Sequence, residues 1–248
     1  MQAEKNVRAE HEISHGHWLA EQDTEKIWGW NTPAGRLRAE RRAALILAGA
    51  RISRGSRVLE IGCGTGLFTE MFAKTGARVF AVDISPELLA KARLRNLSEG
   101  QVTFCEKRFE DCDVDGPFDA VIGSSILHHL DIDLSLERIR SLLKKGGRLS
   151  FAEPNMLNPQ VFLERNLQFL PMFSYTSPDE TAFVRWAFAS KLRSAGFEDV
   201  TITPFDWLHP ATPARLIGVV RKTGNLFEAL PGIREFSGSL SISARLAS

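Results

Sequence analysis

The sequence predicts an α/β protein, a largely parallel sheet with helices on both faces. Three observations lead there. Short apolar runs of the kind buried on both sides of a sheet alternate with stretches of helical period. The first run, Val58-Leu59-Glu60-Ile61, passes straight into Gly62-Cys63-Gly64-Thr65-Gly66 and then into a helical pattern through Leu67, Phe68, Met71 and Phe72. The next run, Arg78-Val79-Phe80-Ala81-Val82, closes on Asp83. Strand, glycine turn and helix let backbone N–H groups approach a ligand closely. An acid at the end of the following strand can take both hydroxyls of a ribose. Together they predict a nucleoside-type ligand across the strand ends.

Composition fits one decorated domain. The chain has 248 residues, 44% of them hydrophobic, enough to bury a full core. A net charge of +1 gives no global field toward nucleic acid or an anionic surface. Cys63, Cys105 and Cys112 have no metal-type spacing and read as reduced thiols, which with the lack of an apolar leader predicts a cytoplasmic protein. No apolar run reaches the length of about 18 residues that a membrane span requires.

In chain order, residues 1–35 are polar and carry His11, His15, His17, Trp18, Trp28 and Trp30. His11 and His15 are one helical turn apart, but nothing nearby completes a tetrahedral set, so no metal is expected. The tryptophans suit a lid over a ligand mouth or an ordinary packing arm. A helix is expected over 34–50, with Arg36, Arg38, Arg41 and Arg42 as a solvated basic face. After strand 57–61, helix 66–75 and strand 78–82, Ser85-Pro86-Glu87 opens a helix running to about Leu97, with a capping hydroxyl and Pro at the first helical position. Strands at 102–105 and 118–122 follow. A helix over 133–145 ends at Gly146-Gly147, and the fifth strand, 148–152, closes on Glu153-Pro154-Asn155. Ser177-Pro178 starts a helix that ends near Gly196. A strand at 200–203, one or two amphipathic helices over 211–230 and a last strand at 238–246 complete the chain, these two strands forming an antiparallel edge.

At this point the residues resemble the class I S-adenosylmethionine-dependent methyltransferases of the small-molecule type, over about residues 34–200. The resemblance rests on Val58–Gly66, Ala81-Val82-Asp83-Ile84-Ser85, Phe109-Glu110, Phe118-Asp119-Ala120-Val121, Leu127-His128-His129-Leu130 and Leu142–Gly147, in family order and spacing. It implies a Rossmann-like, doubly wound sheet of seven strands in the order 3-2-1-4-5-7-6, with the last strand antiparallel. It also implies S-adenosylmethionine as cofactor and a division into a lid or arm (1–35) and a methyltransferase domain (36–248), with substrate-cap inserts at 156–175 and 205–230. By the same resemblance, Gly62, Gly64 and Gly66 admit the methionine part of the cofactor, with Glu60 beside it, directly or by orienting the loop. Asp83 holds the ribose, Ile84 packs on the adenine, Phe109 and Glu110 hold its far side, and Ser124 borders the methionine end. A dinucleotide oxidoreductase is disfavoured, because its fingerprint wants Gly or Ala where Leu67 stands.

Methyl transfer asks mainly for positioning and exclusion of water, with a base where the acceptor must lose a proton. His128 is the candidate base, and His129, Glu153, Asn155 and Tyr175 are candidate acceptor contacts. The apolar content of 156–175 and 205–230 points to a small aromatic or lipophilic acceptor with an O-, N- or C-nucleophile. Those side chains alternatively pack on one another or form a homodimer face. Two competing readings stay open: a non-catalytic S-adenosylmethionine-binding regulatory or scaffold protein, and an RNA or protein methyltransferase. The near-neutral charge disfavours a nucleic-acid partner.

Overall fold

The computed structural model describes residues 2–98, 100–167 and 181–247, with side chains from residue 10 onward. Seven strands form one sheet: β1 (Arg57–Ile61), β2 (Arg78–Asp83), β3 (Val102–Glu106), β4 (Phe118–Ser124), β5 (Leu143–Pro154), β6 (Phe197–Phe205) and β7 (Ser239–Leu246). Their order is β3-β2-β1-β4-β5-β7-β6. The first five run parallel and β7 is antiparallel to both its neighbours. This is the topology implied by the resemblance. The order reverses between β1 and β4, so the loops after their carboxyl ends diverge and open a crevice, the usual ligand position in such sheets.

Helices cover both faces. On one side lie α3 (Pro33–Ala50), α4 (Leu67–Ala73) and α5 (Pro86–Arg93), whose Ile46, Phe72 and Leu89 pack with Val58, Val79 and Ile122 of the strands. On the other side lie α6 (Ile132–Leu142) and α8 (Arg185–Ser194), whose Ile139 and Leu192 pack with Leu59, Val121 and Phe151. Successive strand residues thus feed opposite cores, the signature of a sheet buried on both sides. Phe72, Phe118 and Phe151 are fully buried, and truncating any of them to Ala would cost roughly 3–5 kcal/mol. Before the sheet come α1 (Gln2–Ala20) and the single turn α2 (Thr24–Ile27). After β5 comes α7 (Pro159–Asn166), and between β6 and β7 lies α9 (Ile217–Ala229).

Several element boundaries differ from the sequence reading. The fifth strand begins at Leu143, which pairs with Phe118, so Gly146-Gly147 bends within a strand and the preceding helix stops at Leu142. Pairing Leu143 on the sheet buries it, which one more helical turn would not do. Helix α5 stops at Arg93 rather than near Leu97. Helix α8 begins at Arg185, because Phe183 is drawn into a bridge with Asn155. Ser177-Pro178, expected to start that helix, lies outside the described residues. Finally, α9 begins at Ile217, after a short turn over Ala214–Leu216, rather than at 211.

Candidate active site

The crevice is a cavity of about 710 Å³. The β1–α4 turn makes its floor. Gly62, Gly64 and Gly66 have φ of +63°, +52° and +76°, a conformation side-chain-bearing residues rarely adopt. A Cβ on Gly62 would lie 2.4 Å from the Ile126 side chain, and one on Gly64 3.0 Å from the Trp28 ring. Bare backbone is therefore required at this wall for two separate reasons.

Asp83 fixes the turn as well as facing the cavity. Its Oδ2 accepts from the Gly64 N–H at 2.7 Å and its Oδ1 from the Ser85 N–H at 2.9 Å, tying the end of β2 to the glycine loop and to the start of α5. Burial raises its pKa despite these donors. Each carboxylate oxygen retains a second lone pair for a ligand hydroxyl. Beneath the turn, Glu60 is buried and is not part of the cavity wall. Burial pushes its carboxyl up to about 8, Thr69 offsetting part of the effect and the Asp83 charge adding to it. Its Oε2 makes no hydrogen bond among the described residues. At neutral pH it is held as the neutral acid, and a cation placed above the turn would favour its ionised form.

Beside the main cavity is a pocket of about 70 Å³ lined by Asp83, Ile84, Phe109, Glu110, Ile126 and His129. Phe109 supplies a buried aromatic edge. Glu110 Oε2 accepts from Arg108 Nε at 3.3 Å. The pocket's lining combines apolar side chains with the Glu110 carboxylate, a mixture compatible with a purine. A buried acid beside a glycine cradle and this slot are compatible with the donor chemistry of S-adenosylmethionine.

The opposite wall is the β4–α6 connection. Ser125 there has φ of +56°, unusual for a residue with a side chain. Two buried charges hold this turn from either side. Glu153, at the end of β5, accepts from the Ile126 and Leu127 N–H groups through Oε1, at 3.0 and 2.9 Å, and meets His128 Nδ1 through Oε2 at 2.7 Å. Burial pushes the Glu153 pKa up, but the His128 hydrogen bond and charge, then the two backbone donors, outweigh it and leave the carboxyl below its ordinary range. From the other side Arg42 of α3 donates to Ser124 Oγ (3.1 Å), Ser125 Oγ (2.8 Å), Ala152 O (2.7 Å) and Ser239 Oγ (2.7 Å). Burial lowers its pKa to about 10, so it remains a cation at neutral pH.

The cavity brings together Gly62, Gly64, Asp83, Ile84, Ser124, His128 and His129. His129 also pairs through Nδ1 with Glu12 of α1 at 3.0 Å, and its ring centroid lies 4.2 Å from that of His128. Gly66 stands one step back, as the left-handed residue that starts α4. Two candidate acceptor contacts need correction. Glu153 is fully buried behind His128, and Asn155 is buried with its Nδ2 donating to the carbonyls of Glu235 and Ser237, each at 2.7 Å. Neither faces the cavity; both shape its wall. Tyr175 lies outside the described residues.

The basic helix face also needs correction. Arg42 is buried, and Arg38 lines the cavity with its Nε on Asp206 Oδ2 at 2.8 Å. The signal was present in the sequence: Arg42 falls in phase with Ala39, Ala43, Ile46 and Ala50, the buried stripe of α3. The insert contributes differently from expectation as well. Helix α7 offers Gln160, Val161, Glu164 and Arg165 to the cavity, while Phe162 and Leu163 are exposed. Aromatic walls come instead from Trp28, Trp30, Phe68 and Trp207. Among the described residues no group of three His, Cys, Asp or Glu is placed to hold a metal.

Comparison with known proteins agrees with this geometry. The profile of a family described as a methyltransferase domain matches residues 58–147. The ubiquinone biosynthesis O-methyltransferase of Xylella fastidiosa (strain M23) is 36% identical over 191 residues, 72% of this chain and 76% of that protein. The protein of the same description from Xanthomonas axonopodis pv. citri (strain 306) is 38% identical over 133 residues, 52% of this chain. The chain spans only 56% of that Xanthomonas relative's length. The crystal structure of the N-methyltransferase NodS from Bradyrhizobium japonicum WM9, in complex with S-adenosyl-L-homocysteine, superposes with a TM-score of 0.64 at 16% identity, covering 96% of this chain and all of that one. The chain belongs to the class I S-adenosylmethionine-dependent methyltransferases.

Proposed function

We propose that this chain methylates an oxygen of a small lipophilic acceptor, with S-adenosylmethionine as donor and His128 as the general base. One observation carries the reading: a buried His128–Glu153 pair stands in the wall of the same cavity as the glycine turn and Asp83. The cofactor, when bound, supplies an electrophilic methyl on a sulfonium. Gly62 and Gly64 would admit its amino-acid end, Asp83 its ribose, and Ile84, Phe109 and Glu110 its base. Glu60 beneath the turn, a neutral acid in the cofactor-free protein, would ionise more readily with a cation above it.

The protein's own chemistry then concerns one proton. A phenolic or enolic hydroxyl becomes a competent nucleophile as it loses that proton. Glu153 accepts at Nδ1, so the imidazole carries its hydrogen there and takes the acceptor's proton at Nε2. The charge that develops on the ring sits against a carboxylate held ionised by two backbone donors. Trp28, Trp30, Phe68 and Trp207 supply apolar walls for an aromatic or prenyl-like acceptor, and Arg38 and Arg42 mark its polar end. The relatives' description as O-methyltransferases supports oxygen as the accepting atom. Helix α1 covers the cavity in this reading, anchored by Glu12 on His129 and by Gly16 against Ser85.

The test is to incubate the protein with S-adenosylmethionine and a matched series of lipophilic phenols, catechols and aryl amines, and to quantify S-adenosylhomocysteine. Turnover confined to the hydroxyl compounds is expected. Equal turnover of the amines would overturn the oxygen assignment. Tight cofactor binding with no turnover of any acceptor would favour a regulatory binding protein instead.

A further inference from the structure

Helix α9 has a packed face and an outward face, and the outward face is the unusual one. Ile217, Val220, Gly224 and Glu228 turn inward, the first two onto the cluster of Ala34 and Leu208, Gly224 onto Trp207 and Glu228 onto Arg41. On the far side Leu216, Val219, Thr223, Leu226 and Leu230 follow one another at three- and four-residue steps, a single stripe along the helix. Leu216, Val219 and Leu226 are 44%, 61% and 57% exposed. The helix is therefore apolar where a solvent-facing helix would be charged.

The charges that do flank the stripe are of one sign. Between 214 and 230 the exposed ionisable side chains are Arg215, Arg221 and Lys222, and the one acid, Glu228, is spent on Arg41. In a chain of net charge +1 this is a local concentration of positive charge. The turn that follows adds exposed Ile233 and Phe236, and Asn158, the N-cap of α7, bonds the Phe236 carbonyl at 2.8 Å. Helix α7 in turn exposes Phe162 and Leu163 while its other face lines the cavity. An apolar face bordered by basic residues is the composition of a helix that lies in a membrane interface.

We propose that α9 and the following turn dock this protein onto an anionic lipid surface, lying in its headgroup layer. A second copy of the chain is the poorer occupant. A two-fold contact would set the same patch against itself and bring Arg215 and Lys222 of one copy toward those of the other, while the one acid of α9, Glu228, is already paired with Arg41. No described helix is long and apolar enough to cross a membrane, so the attachment is peripheral. Docking also has a route to the cavity, since Trp207 touches α9 through Phe227 (ring centroids 5.2 Å apart) and lines the cavity. The surface argument stands on its own, whichever acceptor the cavity takes.

The experiment is co-sedimentation of the full chain with vesicles of phosphatidylcholine alone and of phosphatidylcholine with phosphatidylglycerol. Two variants are compared: Val219→Ser with Leu226→Ser, and Arg215→Glu with Lys222→Glu. All four positions are exposed, and unchanged thermal unfolding and S-adenosylmethionine affinity confirm that each variant is folded. Salt-sensitive binding to the anionic vesicles is expected, weakened at least tenfold in the apolar variant and about fivefold for each basic residue lost in the other. Absence of binding to anionic vesicles, or binding that neither variant weakens, would overturn the proposal. So would a wild-type dimer in sedimentation velocity that the apolar variant dissociates, if vesicle binding is absent.

Discussion

Replacing Glu153 by Gln tests the proton-transfer reading with almost no change of shape. The side chain's two oxygens have different duties: Oε1 takes both the Ile126 and Leu127 N–H groups and Oε2 meets His128 Nδ1. A glutamine must therefore keep its carbonyl on the two backbone donors and present its NH2 to His128. Nδ1 then becomes an acceptor, the ring hydrogen moves to Nε2, and the nitrogen meant to take a proton already holds one. The expected loss is the whole general-base contribution, roughly 10²–10⁴ in kcat, or about 3–5 kcal/mol of barrier. His128→Gln should fall by a similar factor, and the two changes together should cost little more than either, since they break one device. Cofactor affinity, measured by calorimetry, should stay within a factor of a few, because Asp83 and the glycine turn are untouched. Turnover of Glu153→Gln within threefold of the parent, with an intact fold, would refute the base assignment and leave positioning alone as the mechanism.

Three further outcomes follow from buried polar groups. Asp83→Asn can accept from only one of the Gly64 and Ser85 N–H groups and turns its own NH2 toward the other; S-adenosylmethionine affinity should fall at least tenfold by calorimetry, and unchanged affinity would separate Asp83 from the ribose site. Arg42→Lys keeps a charge but offers one nitrogen where three now serve four oxygens, so scanning calorimetry should record a loss of roughly 2–3 kcal/mol and a fall in Tm of about 5–10 °C; an unchanged Tm would mean the clamp is dispensable. The Glu60 carboxyl, raised to about 8, stays protonated in the native state while it ionises in the unfolded chain. Its stabilisation is therefore complete below about pH 4.5 and is lost as pH rises to about 8, at about 1.4 kcal/mol per pH unit over that window. Urea unfolding of the cofactor-free protein should register this slope relative to Glu60→Gln, and parallel stability curves for the two would contradict a buried neutral Glu60.

Much of this site could be read from the sequence because its parts are local. Gly62 to Gly66, Asp83 and the Ser85-Pro86 helix start each declare themselves within a few residues, and parallel strands fix where such segments meet. What escaped reading depends on partners far along the chain. Arg42 gains its meaning from Ser124, Ala152 and Ser239, which only the folded sheet brings to one point. Glu153 and Asn155 look like ligand-facing residues on any strand-end argument, yet the backbone of 126–127 and of 235–237 uses them first. On α7 the expectation that apolar residues line a lipophilic cavity failed, because that helix turns Gln160 and Glu164 inward and leaves Phe162 and Leu163 outside.

The two buried charges at the cavity wall are best understood as one construction. Ser125 sits in a left-handed conformation that costs a non-glycine residue on the order of 1 kcal/mol and persists only where the surroundings enforce it. Arg42 grips Ser124 and Ser125 by their hydroxyls from the α3 side, and Glu153 grips Ile126 and Leu127 by their N–H groups from β5. Either grip alone would leave the turn able to relax toward an ordinary loop. With both in place, the imidazole of His128 is carried on a backbone fixed at four successive residues. The charges also bias each other favourably, since the Glu153 carboxylate supports the cationic form of Arg42 against its burial. A simple packing role would be met by apolar side chains at lower desolvation cost. Retaining an ionised pair of this kind behind a histidine is the arrangement expected where the ring must keep one tautomer and accept a positive charge during turnover.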